Sequence, residues 1–276
     1  MLPLVIVDLD GTMIGQNGQV LPCVWQGVDR LQAAGVKLAV CTGRPNAGIA
    51  LQVAERIGPR NPHVFNHGAL VTYVDGDTVH VAALKEASAA ELVRRARQLN
   101  YVLEIYTPSG MYIERNNSQS EQHADLIGVK FEVRDLLEVI QDEPVVRAQW
   151  MLPPERRADV EQLDIPDVEL SYATSPGMPG TAFISVTRAG TDKGSAVRQL
   201  CDAVRIPLRD VMAIGDSEGD LPMLEAVGHP VVMANASAEL RSRFDAVAGD
   251  VENCGIIAAF EEALSTPAGS TESDSG

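Results

Sequence analysis

The sequence is short of basic residues, with 22 Lys and Arg against 38 Asp and Glu, so its formal net charge is −16. That balance excludes a nucleic-acid backbone as partner, since such binding needs surplus cations to neutralise phosphates. A small anion is still admissible where backbone N–H groups, a cation or two and a metal converge. No apolar run approaches the ~20 residues of a membrane-spanning helix, so no membrane is expected as partner. The start, Met1-Leu2-Pro3-Leu4, lacks a basic leader region and runs into a strand-like segment, so a cytoplasmic location is expected. Cys23, Cys41, Cys201 and Cys254 form no C-x-x-C pair and sit beside no histidine cluster, which argues against zinc and for reduced, buried thiols.

At 276 residues the chain exceeds one typical domain, which implies a core plus a smaller unit. Leu4–Val7 reads as a buried strand, Pro22–Ala34 as a helix stopped by Gly35, and Val36–Cys41 as a second strand, together one βαβ unit. Pro45–Ile57 repeats the helical pattern, and a hairpin is expected around Asp75-Gly76-Asp77. Between residues 84 and 186 the style changes to α+β. A helix there opens on a capping box of Ser88 and Glu91, and strands are expected at 102–106, 111–114, 145–151, 168–172 and 182–186. After Gly190 the doubly wound style returns, with a helix from Lys193, strands at 211–214 and 231–233 and a helix at 221–226.

The fold class is therefore α/β: a Rossmann-like, doubly wound parallel-sheet core made of residues 1–83 and 187–264, interrupted by an inserted α+β unit at 84–186. The small, polar, acidic end, 265–276, is expected to be a disordered tail.

The chemistry gathers at strand ends. Asp8-Leu9-Asp10-Gly11-Thr12 follows the first strand, placing two carboxylates where open α/β sheets bind ligands. Asp8 can attack phosphorus while Asp10 protonates the leaving oxygen and then activates water. Two anions facing a phosphate require a divalent cation, with magnesium the natural candidate. Further ligands come from Asp216, two residues after the strand Val211–Ile214, and from Asp220, through water or as an orienting group. Thr42 and Gly43 end a third strand and can donate to phosphoryl oxygens; Lys193 begins a helix and can balance their charge.

The ordered set D-x-D-G-T, T-G-R, K-G and G-D-x-x-x-D resembles the haloacid dehalogenase superfamily over nearly the whole chain. The long insertion between Thr42 and Lys193 is similar to the cap of its Cof-type, class IIB branch, which implies a mobile lid over the substrate. Asn66-His67-Gly68-Ala69 and Met233-Ala234-Asn235-Ala236 resemble Cof-type loops, adding Asn66 and Asn235 as secondary phosphate or substrate ligands. The resemblance also implies that Asp10 contacts the metal through its backbone carbonyl. One departure stands out: Gly219 occupies the position where the family usually has Asn, with Asn235 as the residue expected to compensate.

These residues point to a magnesium-dependent phosphatase that hydrolyses a small phosphorylated metabolite through an aspartyl phosphate. A phosphomutase or phosphotransferase shares the Asp pair, and a phospho-accepting receiver also gathers carboxylates, Thr and Lys; monomer and homodimer are both open. His63, His67, His80, His123 and His229 are expected in turns or at the surface. Arg94, Arg95 and Arg97 are expected on a solvated helix face, and Trp25 and Trp150 in core or interface positions.

Overall fold

The computed structural model describes residues 1–175 and 177–269 and separates them into two compact units. The first unit comprises residues 1–43, 53–79 and 192 onward; the second comprises 44–52 and 80–191.

Four parallel strands build the first unit's main sheet: β1 (Leu4–Val7), β2 (Lys37–Val40), β12 (Val211–Gly215) and β13 (His229–Val232), in the order β13-β12-β1-β2. All four residues of β1 are buried, as a strand covered on both faces requires. From β1 the chain proceeds to β2 on one side, and from β12 to β13 on the other. The crevice of such a sheet therefore opens at the carboxyl ends of β1 and β12. A smaller antiparallel sheet, β3 (His63–Phe65), β4 (Leu70–Thr72) and β5 (Thr78–Val81), follows β2, and Thr42 N–H donates to the Val64 carbonyl at 2.9 Å.

Helix α1 (Pro22–Ala33) starts on a proline whose missing N–H costs nothing in the first turn and buries Val24, Gly27, Val28 and Leu31. Gly35, at φ +85°, ends it. A Cβ at Gly27 would lie 2.5 Å from Ile257 Cδ1, so glycine is what lets α1 close on the C-terminal helix α10 (Ile256–Ser265). Cys23 of α1 and Cys254, just before α10, are joined in a disulfide with a Cα separation of 6.3 Å, while Cys41 and Cys201 remain buried thiols. This corrects the expectation of four reduced cysteines: the partners lie 231 residues apart and meet only through helix packing.

In the second unit the six-stranded mixed sheet has the order β10-β11-β9-β6-β7-β8, formed by β6 (Val102–Tyr106), β7 (Met111–Ile113), β8 (Phe131–Val133), β9 (Arg147–Leu152), β10 (Val168–Thr174) and β11 (Ala182–Arg188). Period-two alternation divides its faces. Leu103, Ile105, Trp150, Ile184 and Val186 pack with Leu92, Val93 and Val139 from the helices α3 (Glu86–Leu99) and α5 (Leu136–Asp142). On the alternate positions the fully buried Glu104 accepts from Tyr106 Oη at 2.7 Å and Gln149 Nε2 at 3.2 Å, and meets His123 Nδ1 at 2.9 Å from helix α4 (Ser118–Ile127).

Several sequence expectations change. Helix α3 begins at Glu86, two residues before the expected cap; Ser88 is buried and donates to the Pro166 carbonyl at 2.8 Å, while Glu91 pairs with Arg94 and Arg95. A tertiary acceptor thus displaces the local capping box. The helix expected from Pro45 starts at Gly48 and is α2 (Gly48–Ile57). The short strands β3 and β8 were not expected. His63 and His123 are buried rather than in exposed turns. Of the expected tail, Ser265 closes α10 and Gly269 N–H donates to the Asp210 carboxylate at 2.8 Å, whereas 270–276 lie outside the described residues. Among the described residues no helix is long and apolar enough to cross a membrane.

His63 accepts the Val40 N–H on Nδ1 at 3.1 Å and meets the Gly58 carbonyl with Nε2 at 2.9 Å, which selects the Nε2–H neutral ring. Burial pushes its pKa down from 6.5 to about 4. The unfolded chain therefore takes up this proton first as pH falls: the contribution is intact above 6.5 and lost between there and about 4. Urea midpoints across this window should fall by an amount equivalent to about 3 kcal/mol more in the wild type than in His63→Gln, whose slope lacks this term. Thiol titration of the denatured, unreduced protein should count the two cysteines Cys41 and Cys201, rising to all four after reduction.

Candidate active site

Asp8 continues β1 by donating its N–H to the Ile214 carbonyl at 2.9 Å, which fixes its Cα beside the end of β12. Its buried carboxylate receives Lys193 Nζ at 2.6 Å, and the same ammonium reaches Asp220 Oδ1 at 2.5 Å. Lys193 is the first residue of helix α7 (Lys193–Val204), whose start is set by Asp192: its side chain accepts the Ser195 N–H, and Ser195 Oγ reciprocates toward the Asp192 N–H.

Asp220 is the most heavily bonded of the acids. Its Oδ2 accepts from Asp216 N–H at 3.0 Å and from the Ser217 N–H and Oγ, both at 2.9 Å. These bonds fold the chain after β12 into a tight turn that returns Asp220 beneath Asp216. Gly215 is required there, because a Cβ would lie 2.5 Å from the Asp220 Cβ.

Asp216 is held from the other side. Thr12 Oγ1 donates to Oδ1 at 3.2 Å, and Asn235 Nδ2 lies 3.3 Å from Oδ2 and 2.8 Å from the Gly11 carbonyl. Asn235 Oδ1 in turn accepts the Val251 N–H at 3.1 Å. Gly11, at φ +83°, would carry a Cβ 2.0 Å from Asp216 Oδ2, so only glycine permits this approach.

One carboxylate oxygen from each of Asp8, Asp216 and Asp220 lies within 4.8 Å of the others, a grouping able to hold a metal ion. The exposed side chain of Asp10 is not among the three. Burial, then the charge of Asp220, hold Asp8 well above the ordinary carboxylate range despite Lys193, and the same two causes bring Asp216 up to about 6. Burial also opposes ionisation of Asp220, but Lys193 and the Ser217 donors outweigh it and keep that pKa low. Lys193 is shifted upward: burial works against its charge, and Asp8 and Asp220 more than offset that. Three carboxylates meet beside one ammonium, which bonds two of them, so negative charge is in excess, and a divalent cation suits this oxygen donor set.

Thr42, two residues past β2, and Asn66, directly after β3, are both buried; His67 N–H donates to the Thr42 carbonyl at 3.2 Å. A Cβ at Gly43 would fall 2.4 Å from the His67 ring, so the T-G-R glycine is needed for this packing. Asn66 sits at φ +52°, fully buried, and neither side-chain polar atom has a partner among the described residues. That is costly unless a ligand or water supplies one.

Sequence reasoning missed the supporting roles of Ser217, Thr12 and the Gly11 carbonyl. Ser217 carried a signal: with Asp220 three residues on, it has capping-box spacing, and both reciprocal bonds form. Thr12 and Asn235 lie 223 residues apart and share Asp216 only in the folded chain.

A family description, haloacid dehalogenase-like hydrolase, matches residues 5–260. The chain belongs to the haloacid dehalogenase-like hydrolase family. The curated relatives that it matches are named as phosphatases. It is 28% identical over 245 residues to the putative phosphatase YxeH of Bacillus subtilis, covering 87% of this chain and 90% of that protein. It is 23% identical over 274 residues to the HMP-PP phosphatase of Yersinia pseudotuberculosis, covering 97% of both. A solved HAD subclass IIB sugar phosphatase shares the fold at a TM-score of 0.76 and 20% identity, over 94% of this chain and 98% of that one.

The departure at Gly219 is open space: an added Cβ would have Ser217 Oγ at 3.5 Å, an ordinary contact. Gly219→Asn should leave stability within about 0.5 kcal/mol in chemical denaturation and turnover within a few-fold, because Asn235 already contacts Asp216. A strong rise in turnover would show that Asn235 does not stand in for the missing amide.

Proposed function

We propose that the protein hydrolyses a small phosphorylated metabolite in two steps, with Asp8 as nucleophile and Mg²⁺ as cofactor. The observation that carries this reading is the convergence of Asp8, Asp216 and Asp220 on one point beside a shared lysine. In the first step an Asp8 carboxylate oxygen bonds to phosphorus as the ester P–O bond breaks, and Asp10 gives its proton to the departing oxygen. In the second, Asp10 takes a proton from water, whose oxygen bonds to phosphorus, so that phosphate leaves and Asp8 is regenerated.

Asp8, Asp216 and the backbone carbonyl of Asp10 would hold the ion, with Asp220 bracing them through its bonds to Lys193, Ser217 and the Asp216 amide. Bound magnesium supplies charge neutralisation, which lets an anionic nucleophile meet an anionic phosphate. Lys193 orients Asp8 and balances phosphoryl charge; Thr42 and Gly43 receive the phosphoryl oxygens. Asn66, with its unsatisfied buried amide, is assigned to substrate. Asn235 is better read as a positioning residue, since both ends of its amide are engaged within the protein.

The leaving group is a small organic alcohol or phosphate. The relatives include an HMP-PP phosphatase and a sugar phosphatase by name, so one fold serves several leaving groups, and the inserted α+β unit, residues 84–186, is assigned the choice among them.

Purified protein should release inorganic phosphate from p-nitrophenyl phosphate and from members of a phosphometabolite panel, lose activity in EDTA and regain it with Mg²⁺. Asp8→Asn should lower turnover about a thousandfold or more with an unchanged circular dichroism spectrum. Phosphatase activity surviving that substitution would refute the nucleophile, and isomer formation without free phosphate would turn the reading to a mutase.

A further inference from the structure

The second unit ends in an unguarded strand. β10 has seven residues, Val-Glu-Leu-Ser-Tyr-Ala-Thr, with β11 on one side and, among the described residues, no strand on the other. Folded proteins protect such edges with lysines, prolines, bulges or short strands. β10 carries none of these: it pairs with β11 without interruption from Val168↔Arg188 to Thr174↔Ala182, and its single charge is Glu169. The opposite edge, β8, is only three residues long, so it is blunted in one of these ways.

The exposed side chains on β10 are also the wrong kind for a free edge. Leu170 and Tyr172 are 36% and 41% exposed. Their registers, Leu170↔Val186 and Tyr172↔Ile184, place them on the face whose core contains Val186 and Ile184. The apolar face thus reaches the edge strand and is left half covered there; the Arg157 guanidinium lies over the Tyr172 ring at 4.1 Å.

We propose that β10 pairs antiparallel with β10 of a second copy of this chain, about a two-fold axis at Ser171, joining two six-stranded sheets into one. The strand is self-complementary about that residue. Leu170 faces Tyr172 of the second copy on both sides of the axis, Val168 faces Thr174, and Glu169 faces Ala173, so no like charges meet. An axis at the strand's midpoint uses all seven residues, and any other axis uses fewer. The contact is isologous and closes at two copies; pairing β10 with β8 would be head-to-tail and would leave open ends for a filament. Two chains of net charge −16 repel each other, and a self-contact is least opposed at a strand such as this, where charge is sparse and backbone hydrogen bonds and apolar pairs act.

Light scattering coupled to size exclusion should give twice the 29.6 kDa chain mass at micromolar concentration. Ser171→Lys and Ser171→Glu each place like charges opposite one another on the axis and should weaken the dimer about tenfold or more, with circular dichroism unchanged. An equimolar mixture of the two variants should restore it, since Lys then faces Glu. In the wild type, amide exchange in residues 168–174 should slow as concentration rises. A monomeric wild type, a dimer that both single variants leave intact, or growth into larger polymers would each overturn the proposal.

Discussion

The ammonium of Lys193, held between Asp8 and Asp220, is the interaction around which the first unit's site is arranged. Burying an ion pair costs desolvation energy that only close geometry and further hydrogen bonds repay, and removing one partner leaves an unpaired charge. Each group here has such support. Asp220 receives two backbone amides and a hydroxyl, Asp8 is fixed by the β1–β12 ladder, and Lys193 is placed by the capped start of α7. The arrangement is well bonded, yet short of positive charge. One cation among three carboxylates leaves Asp8 and Asp216 inclined to keep a proton, and a metal would relieve that inclination.

The backbone makes this density of charge possible. At Gly11 and Gly215 a methyl group would overlap Asp216 and Asp220 respectively, so both glycines are places where an acid occupies the space of a side chain. Asn235 then ties the Gly11 carbonyl, Asp216 and Val251 together, bringing a third stretch of chain into the support. A side chain whose polar atoms are all engaged internally is a brace, and one that is buried and unsatisfied, as Asn66 is, is completed only by a ligand or water.

The second unit shows the same economy on a sheet. One face is a conventional apolar core; the other buries Glu104 with Tyr106, Gln149 and His123, each satisfying part of the carboxylate. Alternation along the strands decides which face a residue joins, so a shift of one residue would exchange the two environments.

The sequence by itself determined the doubly wound pattern, the inserted α+β segment and the acids at strand ends, because hydrophobic periodicity and short motifs are local. Val102–Tyr106 and Leu221–Ala226 could be bounded to the residue for that reason. Strands of three residues, His63–Phe65 and Phe131–Val133, are too brief to show a period. Only the tertiary structure decided which carboxylates share a point, that Ser88 serves Pro166 instead of a cap, that His63 and His123 lie inside, and that Cys23 meets Cys254. Each of these depends on partners distant in sequence, whose proximity is set by strand order and helix packing, and no local pattern of residue types encodes that proximity.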